Sequence, residues 1–147
     1  MAALNLVVIS GLSGSGKSHA LKAFEDAGYF CVDNLPPALL PTFVELCHQQ
    51  GGEIKNVALG IDIRERVFFV DLAKVLGELK AQGHALQLVF LEAREEVLVR
   101  RFSESRRPHP LLPHMPVVEG VRFERERLSE LRKHADRVID TSNITVH

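Results

Sequence analysis

Residues 5–18 read NLVVISGLSGSGKS, an apolar run that breaks into a glycine-rich turn and ends on a lysine and a serine. The reading of this stretch decides the fold. An unbroken run such as Leu6-Val7-Val8-Ile9 suits a strand buried on both faces of a parallel sheet, where no alternation with polar residues is required. The turn matches GxxxxGK[ST] in full: Gly11, Gly16, Lys17 and Ser18 hold the fixed positions, and Leu12, Ser13, Gly14 and Ser15 fill the rest. Glycines let such a loop curl tightly enough for backbone N–H groups to converge on one anion, and a helix starting at Lys17 adds its positive end. In that geometry Lys17 reaches the β- and γ-phosphates of a nucleotide, and the Ser18 hydroxyl binds Mg²⁺.

Outward from this loop the apolar period alternates between short runs and helical spacing, the pattern of a parallel sheet with crossover helices. Strands are expected over 5–10, 29–33, 56–63, 85–92 and 137–141. Helices are expected over 17–27, 37–50, 67–82, 94–106 and 119–134. The last places Val121, Leu128 and Leu131 on one stripe, with Glu124 and Glu126 beside Arg122 and Arg125 as a plain charged surface. Residues 107–116, RPHPLLPHMP, carry four prolines and are expected to form a loop. The fold expected is therefore an α/β, three-layer P-loop NTPase domain with a mostly parallel five-stranded sheet, of the nucleoside-monophosphate-kinase type.

Composition narrows the function classes. The 147 residues are 46% hydrophobic and 25% charged, enough for one packed domain and too apolar for a disordered chain. A net charge of −1 gives no global signal for nucleic acid or anionic membrane. Within that near balance, Arg100, Arg101, Arg106 and Arg107 crowd together. Guanidinium groups suit bidentate phosphate contacts, so the cluster and the proline loop suggest a lid over a triphosphate; Arg106 and Arg107, at the loop mouth, are the candidates for neutralising charge on the transferring group. Cys31 and Cys47 lack CxxC spacing and are expected to be reduced packing residues in a cytoplasmic protein. The apolar stretch at the N-terminus is too short for a membrane span.

Magnesium chemistry also calls for an acid at the end of a neighbouring strand. Asp62, in VALGIDIR, is the candidate ligand through the metal's water shell, since the third strand lies beside the first in small P-loop kinases. Asp33, in YFCVDN, would sit further out, as an acceptor base for a second substrate or as a turn residue. His109 and His114 have too few partners for zinc and read as loop residues. Purine contacts are expected from the exit of the last strand, at Thr141 and Ser142, and nothing in the motifs ranks ATP over GTP.

Taken together, GLSGSGKS, ALKAFEDAGYFCVDNLPPALLP, ALGIDIR, VFLEAREEVLVRRFSESRRPHPL and ADRVIDTSN resemble the N-terminal domain of the RapZ family, bacterial P-loop proteins also called RNase adapter or YvcJ-like nucleotide-binding proteins. The resemblance covers nearly the whole chain. It implies binding and hydrolysis of ATP and GTP at 11–18, and a guanine-nucleotide-associated stretch at Asp62, Ile63, Arg64 and Glu65. There Glu65 stands where the family usually has Asn, so an amide donor is replaced by a group that only accepts. The resemblance further implies a C-terminal domain absent from 1–147, to which recognition of RNA or an RNase belongs. The expectation is thus a slow, magnesium-dependent ATPase and GTPase serving as a regulatory switch, with a homo-oligomer left open. Two rivals stand beside it: a small-molecule kinase using Asp33, and a nucleotide-gated binding module without turnover.

Overall fold

The computed structural model describes residues 4–49, 53–61, 66–105 and 107–143, with the side chains of all but 48 and 66–71. Five strands, β1 (Asn5–Gly11), β2 (Phe30–Val32), β3 (Asn56–Gly60), β4 (Ala85–Glu92) and β5 (Arg137–Asp140), form one sheet in the order β2-β3-β1-β4-β5. Every pairing is parallel. Parallel neighbours cannot be joined by hairpins, and helices supply the crossovers: α1 (Lys17–Asp26), α2 (Leu40–His48), α3 (Arg66–Ala81), α4 (Glu95–Ser105), α5 (Val117–Arg127) and α6 (Ser129–His134).

β1 is buried from both sides, as its unbroken apolar run requires. Leu6, Val8 and Leu12 pack with residues of α2 to α6, whereas Val7 and Ile9 pack with Leu21 of α1. Leu6, Val8 and Ile9 are fully buried, each contributing about 1.5–3 kcal/mol through area removed from water. β1 also sits where the topology divides: the chain returns to β2 and β3 on one side of it, then crosses to β4 and β5 on the other. In open α/β sheets the crevice beyond the strand ends at such a point is where ligands bind. Cys31 and Cys47 are free, with Cys47 buried in the larger core.

Two expected helices are broken, each for a local reason. Residues 37–50 divide into a 3-10 turn at Pro37–Leu39 and α2, because Pro41 cannot donate to the Pro37 carbonyl and its ring would crowd that carbonyl in a continuous helix. Residues 119–134 divide at buried Leu128 (φ −95°, ψ 7°), where the Ser129 hydroxyl donates to the Glu126 carbonyl at 2.8 Å and diverts the turn. The proline-rich stretch 107–116 contains no regular helix or strand, as expected.

Candidate functional site

The loop after β1 is shaped by glycines at the positions where a side chain cannot be accommodated. Gly11 has φ +151°, and a Cβ there would run into the Leu91 carbonyl of β4 and stand 2.8 Å from the Leu91 nitrogen. Gly14 and Gly16 follow in left-handed conformation, at φ 82° and 102°. Four of the loop carbonyls accept hydrogen bonds from the protein itself. Leu12 O accepts the Ser15 N–H at 3.0 Å, Gly14 O accepts Arg101 Nη1 at 3.0 Å, Ser15 O accepts the Thr141 hydroxyl at 2.7 Å and Gly16 O accepts the Ala20 N–H at 3.0 Å.

That last bond is the first i→i−4 bond of α1. The N–H groups of Lys17, Ser18 and His19 precede it and have no intrahelical partner, and Gly16 has no side chain with which to cap them. This is the arrangement that binds a phosphate at a helix N-terminus. Lys17 and Ser18 line a cavity of about 840 Å³ together with Ser13, Asp33, Arg101 and Arg107.

Asp33 follows the edge strand β2 and is exposed. Its Oδ1 accepts the N–H of Asn34 at 2.8 Å, and Asn34 itself adopts φ 57°. The carboxylate lies over Gly60 at the end of β3, in space that a Cβ on Gly60 would take. Arg107 reaches the same cavity from the start of the proline-rich loop, with Pro108 and Pro110 beside it. Arg106, Asp62, Ile63, Arg64 and Glu65 lie outside the described residues.

Three side chains that hold the loop were not singled out for that task by the sequence. Arg101 bridges Gly14 O, the Thr141 hydroxyl at 3.1 Å and Thr141 O at 2.5 Å, so a guanidinium expected as part of a lid serves as a strut beneath the loop. Thr141 and Ser142, expected at the purine, spend their hydroxyls inside the protein: Thr141 on Ser15 O, and Ser142 as acceptor for the Arg94 N–H at 2.8 Å.

The largest correction concerns Glu124, expected on a plain surface helix. It is 3% exposed and grips Ser13 twice, accepting the amide N–H on Oε1 and the hydroxyl on Oε2, both at 2.7 Å. Behind it lies His109, fully buried. His109 Nδ1 accepts the Leu111 N–H at 3.1 Å, which leaves the ring proton on Nε2, and Nε2 stands 3.4 Å from Glu124 Oε1. At that separation the contact is electrostatic, without the short geometry of a well-made hydrogen bond. Burial alone would raise the Glu124 carboxyl; the His109 ring and the Ser13 hydroxyl and amide outweigh it and hold the group below its ordinary value. A signal for this was in the sequence: position 124 falls on the inward stripe of Val121, Leu128 and Leu131, so the carboxylate interrupts a buried face.

Among the described residues no cluster of three or more His, Cys, Asp or Glu side chains could hold a metal, and no helix is long and apolar enough to cross a membrane.

A parallel five-stranded sheet with a phosphate-type loop at its switch point defines a P-loop domain of kinase-like fold. Shikimate kinase from Bacteroides thetaiotaomicron superimposes with a TM-score of 0.62 at 19% identity, over 94% of this chain and 87% of that one. The tunicamycin resistance protein of Deinococcus radiodurans gives 0.62 at 17% identity, over 98% and 90%. At these identities the likeness concerns the fold alone. Residues 4–147 match the RapZ-like N-terminal domain, and the chain belongs to that family. A "Nucleotide-binding protein" of Desulforudis audaxviator is 52% identical over 146 residues, covering 99% of this chain and 50% of the relative. Another so named in Myxococcus xanthus is 49% identical over 145 residues, again covering 99% and 50%. The chain thus spans about half the length of these curated relatives.

Proposed function

We propose that this chain binds a purine nucleoside triphosphate, ATP or GTP, with Mg²⁺ on residues 11–18 and hydrolyses it slowly as the nucleotide-dependent unit of a longer regulatory protein. One observation carries the reading. The carbonyls of Leu12, Gly14, Ser15 and Gly16 are all tied away, while the first N–H groups of α1 precede its first internal bond beside Lys17 and a cavity of about 840 Å³. That polarity suits a polyphosphate. The relatives' shared name, nucleotide-binding protein, supports it.

In this reading Lys17 and the loop amides bear the phosphate charge, and Arg107, which lines the same cavity, adds a second cation. The Ser18 hydroxyl and the Asp33 carboxylate face one cavity, an oxygen donor set that fits a magnesium ion, which usually takes few protein ligands and keeps waters and phosphate oxygens. Asp62 is the second acid proposed for that task. Bound magnesium would supply charge neutralisation between phosphates. Recognition of RNA or an RNase is proposed for the half of the relatives' length that this chain does not match. Phosphate release from ATP and GTP tests the proposal: Lys17→Ala should lower it about a hundredfold, as loss of a donor to a charged transition state does. An unchanged rate would sink it.

The cavity supports a second reading. It extends past the loop to Asp33, Asn34 and Arg107, further than phosphates alone need, and the fold is that of small-molecule kinases. Asp33 would then draw the proton from an acceptor hydroxyl. A screen of phosphorylatable metabolites separates the two, because an acceptor that raises turnover about a hundredfold or more favours transfer over hydrolysis.

A further inference from the structure

Glu124 is a buried carboxylate that the phosphate chemistry above does not use. Its two oxygens take both hydrogen-bond donors of Ser13, the amide and the hydroxyl, at 2.7 Å. Ser13 and Glu124 are 111 positions apart, so the contact is tertiary and owes nothing to local turn preference. At Oε1, the oxygen that also accepts the Ser13 amide, His109 brings in the proline-rich loop. The ring is fully buried, lies 5.2 Å from the Phe102 ring between centroids, and occupies space that any side chain at Gly120 would fill, with the Nδ1 atom 2.8 Å from where a Cβ would stand. One carboxylate therefore joins the phosphate loop, helix α5 and the segment 107–116.

A neutral partner would suffice merely to fill this space. A carboxylate accepting two donors at 2.7 Å gives charge-assisted hydrogen bonds, roughly twice the strength of neutral ones, and they act on the residue before Gly14, where the loop begins its left-handed turns. A loop that must arrange several N–H groups around an anion loses affinity for every conformer in which they diverge.

We propose that Glu124 is a positioning residue for the phosphate loop: its grip on Ser13 holds 11–18 in the phosphate-accepting shape before nucleotide arrives, and through His109 that shape and the seating of the proline-rich loop form one unit. The inference rests on the reading that 11–18 binds a nucleotide. Mutating Glu124 should therefore alter affinity in protein that is still folded, and should also loosen the proline-rich loop at its His109 anchor.

Calorimetric titration with Mg-ADP, run well below each protein's melting temperature, tests this on wild type and Glu124→Gln. The amide keeps the shape of the side chain and removes its charge. Weakening of about tenfold is expected, together with faster hydrogen exchange at the Ser13 and Leu111 amides. A purely structural role would lower the melting temperature and leave the affinity of the folded protein within twofold of wild type, and that result overturns the proposal. Should Glu124→Gln fail to fold, Ser13→Ala removes only the hydroxyl arm; about threefold weaker binding is expected, and unchanged binding overturns the proposal again. Lys17→Ala keeps the two readings apart. Wild type that binds as Lys17→Ala does, with no measurable affinity, defeats the nucleotide site and this inference with it; wild type that binds while Glu124→Gln matches it defeats this inference alone.

Discussion

The Thr141 hydroxyl donates to the Ser15 carbonyl at 2.7 Å, tying the residue that follows β5 to the phosphate loop across 126 positions of sequence. The same oxygen lies within 3.1 Å of Arg101 Nη1, so it donates to the loop and accepts from the strut in one place. Thr141 is 6% exposed, and water cannot readily replace either bond. Thr141→Val keeps the shape and deletes both roles, leaving a buried carbonyl without its donor. The expected loss of stability is about 1–3 kcal/mol in urea unfolding. A loss under about 0.5 kcal/mol, the range of ordinary surface changes, would show that the tether is not energetically real.

Arg101 offers a sharper contrast. Its Nη1 serves Gly14 O and the Thr141 hydroxyl while Nη2 serves Thr141 O, a fork that one ammonium cannot reproduce. Arg101→Lys preserves the charge near the phosphates and removes the geometry. If the strut shapes the loop, affinity for Mg-ADP falls about tenfold. If only the charge matters, the lysine variant binds as wild type does. Titration calorimetry distinguishes the outcomes.

What was legible in the sequence follows from how far each signal reaches. Strands buried on two faces must be apolar throughout, so β1 and β4 stood out, and the motif at 11–18 carries its own backbone requirements. Helix ends that depend on one residue leave no periodic signal: Pro41 breaks a helix only once its neighbour at Pro37 is also helical, and Leu128 ends α5 through a serine bond to a carbonyl. The supports of the loop were harder still. Arg101, Thr141 and Glu124 act on Gly14, Ser15 and Ser13 from distant positions, and no spacing rule connects partners that meet only after the sheet has formed. Glu124 was the exception, because a carboxylate on the inward stripe of a helix demands a buried partner. Its neighbours Arg122 and Glu126 made the helix look uniformly charged and hid that demand.

Two glycine-to-alanine changes should act in opposite directions. At Gly120 a Cβ would press into the His109 ring, so Gly120→Ala forces the imidazole from its slot; the expected cost is about 1–3 kcal/mol, the usual range for overpacking, with the Leu111 amide losing protection from exchange. At Gly77, inside α3, a Cβ would meet nothing within 4 Å. Gly77→Ala therefore reduces only the backbone freedom of the unfolded chain and should raise stability by about 0.5–1 kcal/mol. Chemical denaturation of the pair provides the measurement, and a destabilised Gly77→Ala would contradict the open surface seen there.

Acid sensitivity follows from Glu124 with a definite sign. Its carboxyl is held below the ordinary value of 4.5 in the folded protein, by the His109 ring and the two Ser13 bonds acting against burial. The folded state therefore keeps the proton off more strongly than the unfolded state does. The resulting stabilisation is fully present above the ordinary value and is lost as pH falls through the lowered one. Glu124→Gln has no such proton to take up. The stability gap between wild type and Glu124→Gln, measured by urea unfolding from neutral pH down to about pH 3, should hold its size until roughly the ordinary carboxyl value and then shrink. A gap that widens on acidification would mean that burial outweighs Ser13 and His109 and raises the folded-state carboxyl above its ordinary value, the opposite of the direction given above.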